Sequence, residues 1–178
     1  CPSYATWDPS TSRCLADAAG GCPAGRYKDA STCLGCDRGK YNPTPGLTAP
    51  CTQTCSRGRY GAAPGFTAEA QCSDCAIGLF GTASGLSASG PSACDGSCSR
   101  GKWSDVTGLV ADAQCKRCPQ GRFDSSGQTG KTAETCAGLC SVGRWSNATG
   151  LVADSQCSLC SAGRHGDARV GLAADASC

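Results

Sequence analysis

The sequence is poor in the side chains that normally build a hydrophobic core. Leucine, isoleucine, valine and phenylalanine together make up only about a tenth of the 178 residues, and methionine is absent. A fraction below about a fifth often indicates disorder, but disordered chains usually also carry a high net charge. The formal net charge here is only +2. The chain therefore needs a source of stability other than a large apolar core.

Long apolar runs are also missing. No stretch reaches the roughly 18 consecutive apolar residues of a transmembrane helix, so we expect no membrane span. No secretory signal is present; the sequence opens at Cys1, and we interpret it as a processed chain or an excerpt from a longer array. The near-neutral charge gives no general reason to expect nucleic acid or an acidic membrane as a partner.

Groups suited to catalysis are scarce as well. The sequence has one histidine and shows no paired-carboxylate or phosphate-binding motif. Nucleophilic catalysis needs a free cysteine or an activated serine beside a base, and neither is recognisable. We therefore expect no enzyme, no catalytic residue, no cofactor and no bound metal.

Cysteine, by contrast, is abundant, at 18 of 178 residues. This density exceeds the roughly 8–10 % that marks a disulfide scaffold. Such a framework needs an oxidising compartment, because thiols are kept reduced in the cytosol. The sequence therefore predicts an extracellular or cell-surface protein.

A short motif recurs along the chain. It begins Cys-x-x-Gly and continues, in most instances, with a basic and then an aromatic residue; its opening cysteines are Cys22, Cys36, Cys55, Cys75, Cys98, Cys118, Cys140 and Cys160. We call its glycine the first glycine and its aromatic position the ring position. Most repeats then contain a second glycine followed by Leu or Phe, and each ends at a closing cysteine. Such self-similarity is the signature of a repeat array.

The cysteines also set the repeat boundaries. Residues 1–21 match poorly and are predicted to be a partial or divergent repeat. Residues 22–178 are predicted to form eight tandem repeats, 22–33, 36–51, 55–72, 75–94, 98–115, 118–136, 140–157 and 160–178. The spacer between a closing cysteine and the next opening cysteine alternates between two and three residues. Successive repeats are therefore expected to meet in two different ways.

Each repeat is too short for a helix and too rich in glycine, serine, threonine, proline and aspartate. The simplest expectation is a short strand through the ring position, a turn, and a second short strand through the second-glycine segment. The first glycine is expected at positive φ, and the ring is expected to cover a disulfide or the backbone of the next repeat. The predicted fold class is an elongated array of small disulfide-rich repeats, β-hairpin-like loops with little regular secondary structure and no large core.

We predict that each opening cysteine pairs with the closing cysteine of its own repeat. The scheme is Cys1–Cys14, Cys22–Cys33, Cys36–Cys51, Cys55–Cys72, Cys75–Cys94, Cys98–Cys115, Cys118–Cys136, Cys140–Cys157 and Cys160–Cys178. A loop of this size is worth about 3 kcal/mol in the chain-entropy treatment. An interlocked pairing across the spacers is the alternative, because connectivity cannot be proved from sequence.

Zinc binding is a competing use of the cysteines. Residues 72–98 and 115–140 superficially have the cysteine spacing of a zinc ribbon. However, eighteen cysteines do not divide into sets of four, and one histidine cannot fill the gap. A redox role for the C-x-x-C pairs is weaker still, since four such pairs recur between repeats without a surrounding βαβ pattern. Disulfides are therefore the favoured interpretation.

The segments CDRGKYNPTPGLTAPC and CSRGRYGAAPGFTAEAQC carry a family resemblance. They resemble the cysteine-rich repeats of ephrin-receptor type and are similar to the modules of tumour-necrosis-factor receptor ectodomains. The resemblance covers residues 22–178 and implies ladders of disulfide-closed loops, in which opener and closer of one loop commonly pair. The 118–136 repeat departs from the pattern, because it has Gly127 and Gly130 but no Gly-Leu. No ligand motif carries over.

Three further features of the surface have two interpretations each. A basic residue follows the first glycine in seven repeats: Arg26, Lys40, Arg59, Lys102, Arg122, Arg144 and Arg164. One interpretation is a ladder of cations that binds acidic glycans. The other, which we favour, is a set of solvated side chains that lie over the rings. Asn147-Ala148-Thr149 is an N-glycosylation sequon, and we expect Asn147 to be glycosylated rather than bare. His165 occupies a ring position and is expected to pack there rather than to bind a ligand.

The leading hypothesis is a structural, non-catalytic, glycosylated subunit of an extracellular assembly such as a filament, surface hair, coat or matrix. It would act as a disulfide-stapled rod or packing surface, with further copies of itself, other extracellular structural proteins or glycans as its partners. The alternative is a ligand-binding segment of a cell-surface receptor ectodomain. Regularity of the repeats favours the first, although fold alone does not decide function.

Overall fold

The computed structural model describes residues 5–8, 13–16, 21–88, 90, 93–166 and 171–178, the first two segments by their backbone alone. The chain divides into two compact bodies. The first comprises Cys1–Cys75 and Gly81–Asp95, and the second comprises Ala76–Phe80 and Gly96–Cys178. The 75–94 repeat thus contributes segments to both bodies. The predicted Cys1–Cys14 disulfide involves Cys1, which lies outside the described residues.

The strands of the described residues form eight two-stranded antiparallel hairpins, each from consecutive strands. The hairpins are β1 (Ala5–Asp8) with β2 (Arg13–Ala16), β3 (Arg26–Asp29) with β4 (Thr32–Gly35), β5 (Lys40–Tyr41) with β6 (Gln53–Thr54), β7 (Arg59–Tyr60) with β8 (Ser73–Asp74), β9 (Leu79–Phe80) with β10 (Gly96–Ser97), β11 (Lys102–Trp103) with β12 (Lys116–Arg117), β13 (Arg122–Phe123) with β14 (Gly138–Leu139), and β15 (Arg144–Trp145) with β16 (Ser158–Leu159). This confirms the predicted class of small disulfide-rich, hairpin-like repeats.

Helical structure in the described residues is limited to single 3₁₀ turns that lead into closing cysteines. They span Glu69–Gln71, Asp112–Gln114, Asp154–Gln156 and Asp175–Ser177. In the first three turns the glutamine side chain folds back, and its oxygen accepts hydrogen bonds from backbone N–H groups three and four residues earlier. The turn is thereby held to the segment before it. None of the described helices is long and apolar enough to span a bilayer.

The hairpin register is set by the opening cysteine. Trp103 pairs with Lys116, and Phe123 pairs with Gly138; both partners lie two positions before the next opening cysteine. The spacer that contains Lys116 has two residues, whereas the spacer that contains Gly138 has three. The extra residue is therefore accommodated after the closing cysteine, and the pairing at the ring is unchanged.

The position of the second strand was predicted wrongly. It lies just before the next opening cysteine and not at the second-glycine segment. The residue after the second glycine instead forms one parallel β-bridge with the ring residue of the preceding repeat: Tyr41 with Phe66, Tyr60 with Leu86, Phe80 with Leu109, Trp103 with Lys131, and Phe123 with Leu151. The second glycines have positive φ, which turns the chain and limits the pairing to one residue.

Disulfides replace a conventional core. Each opening cysteine is bonded to the closing cysteine of its own repeat: Cys22–Cys33, Cys36–Cys51, Cys55–Cys72, Cys75–Cys94, Cys98–Cys115, Cys118–Cys136, Cys140–Cys157 and Cys160–Cys178. These are the pairs of the sequential scheme. Apart from Asp124, the largest fully buried side chains are seven of the eight opening cysteines. Most of the fully buried side chains in the described part of the chain are therefore cross-linked cysteines.

Candidate functional site

The contacts between consecutive repeats are the most regular feature of the molecule. At each junction the backbone N–H of an opening cysteine donates a hydrogen bond of 2.8–3.0 Å to the first-glycine carbonyl of the preceding repeat. The seven pairs are Cys36 to Gly25, Cys55 to Gly39, Cys75 to Gly58, Cys98 to Gly78, Cys118 to Gly101, Cys140 to Gly121, and Cys160 to Gly143. Because only backbone atoms take part, the junction tolerates changes in most side chains.

A second backbone hydrogen bond closes the junction from the other side. The carbonyl of an opening cysteine accepts from the second-glycine N–H of the following repeat, with donor–acceptor distances of 2.6–2.8 Å. The pairs are Gly46 to Cys22, Gly65 to Cys36, Gly85 to Cys55, Gly130 to Cys98, and Gly150 to Cys118. The side chain of each of these opening cysteines is therefore fixed by its disulfide, and its carbonyl is fixed by a hydrogen bond from the next repeat.

The first glycines are required for two reasons. All eight have φ between 70° and 82°, as predicted. In addition, at five of them a Cβ would overlap the second-glycine carbonyl of the repeat two places further along: Gly25 with Gly65, Gly39 with Gly85, Gly78 with Gly130, Gly101 with Gly150, and Gly121 with Gly171. We call this close glycine contact, together with the two backbone hydrogen bonds of the junction, a lock. Each lock spans three successive repeats, which the sequence did not reveal.

The rings pack on the cross-links, as predicted. Phe80 covers a buried cluster of Cys98, Leu109 and Cys115, which belong to the following repeat. Phe123 covers the equivalent cluster in the 140–157 repeat. The expectation that His165 packs in the same manner was wrong, because this side chain is exposed.

The position after the ring is buried in seven of the eight repeats, and its importance was missed. It holds Asn42, Ser104, Asp124 and Ser146 as buried polar residues and a buried glycine in three more repeats, whereas the 22–33 repeat has the half-buried Lys28 there. The four polar side chains accept hydrogen bonds from a backbone N–H two residues later, as in Asx and ST turns. The recurrence of Asn, Ser, Asp and Gly after the ring was the available signal, since these are turn-forming residues.

The 118–136 repeat contains a buried ion pair. Gly130-Lys131 takes the place of Gly-Leu. The Gly130 N–H donates to the carbonyl of Cys98, the preceding opening cysteine, and the Lys131 carbonyl accepts from the backbone N–H of Ser104. The Lys131 ammonium pairs with Asp124, which is completely buried. Burial raises the pKa of the Asp124 carboxyl, but Lys131 and the hydrogen bonds from Ser126 lower it by more, so it lies well below its ordinary value of 3.8.

Breaking this ion pair is expected to be costly. Lys131→Met should destabilise the second body by about 3–5 kcal/mol, because it leaves the Asp124 carboxylate buried without its partner. The double variant Asp124→Ser with Lys131→Leu recreates the Ser104/Leu109 pair of the neighbouring repeat and should be close to neutral. Denaturant unfolding of the oxidised protein at pH 7 measures both, and equal losses in the two variants would contradict the pairing.

The same pair predicts a pH dependence. Since the pKa of Asp124 is lower in the folded protein than its ordinary 3.8, the contribution of the pair is fully present above that pH. It is lost as the pH falls below 3.8 and the carboxylate is protonated. The double variant should lose less stability than the parent on acidification from pH 5 to about pH 2, as measured by the same unfolding experiment.

The basic side chains after the first glycines are structural. Arg26, Arg59, Arg122 and Arg144 donate to the carbonyl of the closing cysteine of their own repeat, at 2.7–3.3 Å. Lys102 and Arg164 reach the acidic residue of the 3₁₀ turn or its carbonyl, and Lys40 pairs with Asp37. These contacts favour the structural interpretation over an open ladder for acidic glycans, because each cation already has a partner.

Acidic residues of the 3₁₀ turns complete the closure of a repeat. The side chains of Glu69, Asp112, Asp154 and Asp175 accept a hydrogen bond of 2.8–3.0 Å from the N–H of the serine that follows the opening cysteine. The two ends of the repeat are thus joined by a polar contact beside the disulfide. This explains why the acidic residue and the serine occur together in these four repeats.

The chemistry of the cysteines is that of cross-links. The two sulfurs of Cys160 and Cys178 and a carboxylate oxygen of Asp175 lie within 4.8 Å of one another, close enough to bind one metal ion. However, the two sulfurs are bonded to each other. Every cysteine of the two segments with zinc-ribbon spacing is likewise part of a disulfide, some with a partner outside the segment. A disulfide sulfur cannot act as the thiolate ligand that a zinc site needs.

No known protein family or curated protein matches the sequence of this chain significantly. Its class is therefore defined by the fold and the junctions alone. The chain is a cysteine-rich repeat protein with small irregular repeats, and its many disulfides indicate an oxidising environment. This architecture is compatible with an extracellular structural or receptor-like role.

Proposed function

We propose that the chain is a non-catalytic structural subunit of an extracellular assembly such as a filament, surface hair, coat or matrix. The observation that carries the proposal is the lock that spans three repeats. It is made of backbone atoms and recurs in both bodies, from Gly25 with Gly65 to Gly121 with Gly171. Such a scaffold repeats the same surface at regular intervals along the sequence, which suits lateral or end-to-end self-association or packing against other structural proteins.

The internal use of polar groups supports a structural role. The cations after the first glycines, the acidic residues of the 3₁₀ turns and the buried polar residues after the rings are engaged within the array. In the described residues these contacts hold repeats closed. We therefore propose that the protein is not an enzyme.

The receptor-like alternative is favoured by one observation. The divergent 118–136 repeat has a cavity of about 370 Å³ lined mainly by serine, threonine and glutamine residues. This volume lies within the range of ligand pockets. A role in binding a soluble ligand or a glycan would agree with the resemblance to ephrin-receptor-type and tumour-necrosis-factor-receptor-type repeats. The locks, in contrast, recur in both bodies.

Electron microscopy of the native material distinguishes the two proposals. The protein is purified without reducing agent and imaged before and after treatment with dithiothreitol. A structural subunit should give regular assemblies that lose their order on reduction, because the junctions depend on the disulfide-closed repeats. A sample treated with iodoacetamide alone is the control, since alkylation without reduction leaves disulfides intact. Discrete monomers at all concentrations would contradict the structural proposal and favour the receptor-like one.

A further inference from the structure

Two repeats of the second body are close copies that differ on one surface. The 98–115 and 140–157 repeats share 13 of 18 residues at an offset of 42. The positions that change in charge are confined to one hairpin and its loop. Arg100, Asp105, Lys116 and Arg117 of the first copy correspond to Val142, Asn147, Ser158 and Leu159 of the second. Four charges are thus missing from the second copy.

In the first copy these charges cover a tryptophan. The Lys116 ammonium lies 4.6 Å from the centre of the Trp103 ring, within cation–π distance. Lys116 is held there by Asp105, whose carboxylate lies 2.7 Å from its ammonium. Both residues are about half exposed. The outer face of this ring therefore has a polar cover.

In the second copy the same backbone carries no such cover. Trp145 pairs with Ser158 in the register that Trp103 shares with Lys116. Serine is too short to reach over an indole ring. Among the described residues, the face of Trp145 that corresponds to the covered face of Trp103 therefore has no charged side chain over it.

The residue that replaces Asp105 begins the sequon Asn147-Ala148-Thr149. Asn147 and Thr149 are both exposed. The loop that carries them is fixed, because Ala148 donates to the Ser146 hydroxyl and the Asn147 carbonyl accepts from Gln120. An oligosaccharyl transfer enzyme can therefore reach both the amide and the hydroxyl.

We propose that Asn147 carries an N-linked glycan whose first sugars lie over the Trp145 ring. In the transfer, the Asn147 amide nitrogen bonds to the anomeric carbon of a polyprenyl-pyrophosphate-linked oligosaccharide. The bond from that carbon to the pyrophosphate breaks, the lipid pyrophosphate leaves, and the amide nitrogen loses one proton. The proposal does not depend on the assembly proposed above.

The chemistry favours a sugar over a protein as the cover. A pyranose ring presents C–H groups on one face and can pack on an indole, while its hydroxyls remain in water. The glycan is attached to Asn147, at the position that Asp105 occupies in the sister repeat. Asp105 holds Lys116 over the Trp103 ring, so a sugar on Asn147 starts from the corresponding place beside Trp145. A stable protein interface buries about 800 Å² on each partner, much more than one ring offers.

Mass spectrometry and nuclear magnetic resonance test the proposal on the full chain secreted from a eukaryotic host. The peptide containing Asn147 should carry a hexosamine-based glycan in the parent and in Thr149→Ser, which keeps the sequon, but not in Thr149→Ala. Protons of the first sugars should show upfield ring-current shifts and nuclear Overhauser contacts to the Trp145 indole. An unmodified Asn147, or a glycan without these shifts and contacts, would overturn the proposal.

Binding of a hydrophobic dye gives an independent measure of shielding. Enzymatic removal of the glycan, or Thr149→Ala, should increase dye fluorescence. The double variant Asn147→Asp with Ser158→Lys rebuilds the charged cover of the 98–115 repeat. It should keep dye fluorescence low without any glycan. Unchanged dye binding after deglycosylation would show that the sugar does not cover this surface.

Discussion

Gly101→Ala is expected to destabilise the second body by about 3–5 kcal/mol, within the range of the most damaging single substitutions. Two costs add. An alanine at φ of 75° is strained by roughly 1–2 kcal/mol. Its Cβ would also overlap the carbonyl oxygen of Gly150, a backbone atom that cannot rotate away. Relief of the overlap requires the third repeat of the lock to move, which breaks the Gly150 hydrogen bond to Cys118.

Gly143→Ala is the matched control. Gly143 is also a first glycine and has the same φ of 75°, but a Cβ there has no neighbour within 4 Å. Its substitution should cost only the backbone strain, roughly 1–2 kcal/mol. Denaturant unfolding with the disulfides intact compares the two variants, and hydrogen exchange at the Gly150 amide reports the lock directly. Equal losses would show that positive φ alone explains the glycines and that the contact over three repeats contributes nothing.

Removal of a central disulfide is the second change with a large expected effect. Replacing Cys98 and Cys115 by alanine should cost more than the roughly 3 kcal/mol that loop closure alone predicts. These two cysteines are 0 % and 5 % exposed and form the buried cluster with Leu109 on which Phe80 packs. The substitution therefore leaves a cavity in addition to releasing the loop.

The Cys160–Cys178 disulfide provides the comparison. Its loop is of nearly equal length, with a sequence separation of 18 against 17 for Cys98–Cys115, so the two entropic terms are the same. Both of its cysteines are only partly buried. Replacing this pair should cost only the entropic term. The free energy of unfolding of each double variant, measured against the parent, tests whether disulfides here act as packing groups as well as cross-links; identical values would reject the packing role.

Local features of the sequence predicted the fold well. The positive φ of the first glycines and the packing of rings on disulfides follow from the motif itself, because a glycine beside a cross-link and a ring without a larger core have few alternatives. The second strand was misplaced because two short segments of each repeat have similar strand propensity. Only the hydrogen bonds decide that Ser158 and Leu159, and not the Gly150-Leu151 segment, pair with the strand at Trp145.

The features that the sequence did not reveal involve residues distant along the chain. The close approach of Gly101 to the Gly150 carbonyl brings together repeats that are not neighbours, and no local sequence pattern encodes it. Lys131 occupies the position after the second glycine, where other repeats have Leu or Phe, and the sequence showed this only as a departure from the motif. The role of Lys131 is to pair with Asp124, which lies at a position that the sequence did not indicate as buried. The basic residues were assigned to the ring faces, whereas most donate to backbone carbonyls.

The lock over three repeats also sets the conditions under which such a gene can grow or shrink. A first glycine contacts the second glycine of the repeat two places on, in odd and in even repeats alike. Because the contact is made by glycine backbones, a repeat that keeps both glycines can take any place in it. Whole repeats can therefore be gained or lost, singly or in pairs, without breaking a lock, and we expect alleles of this chain to differ in length by whole repeats.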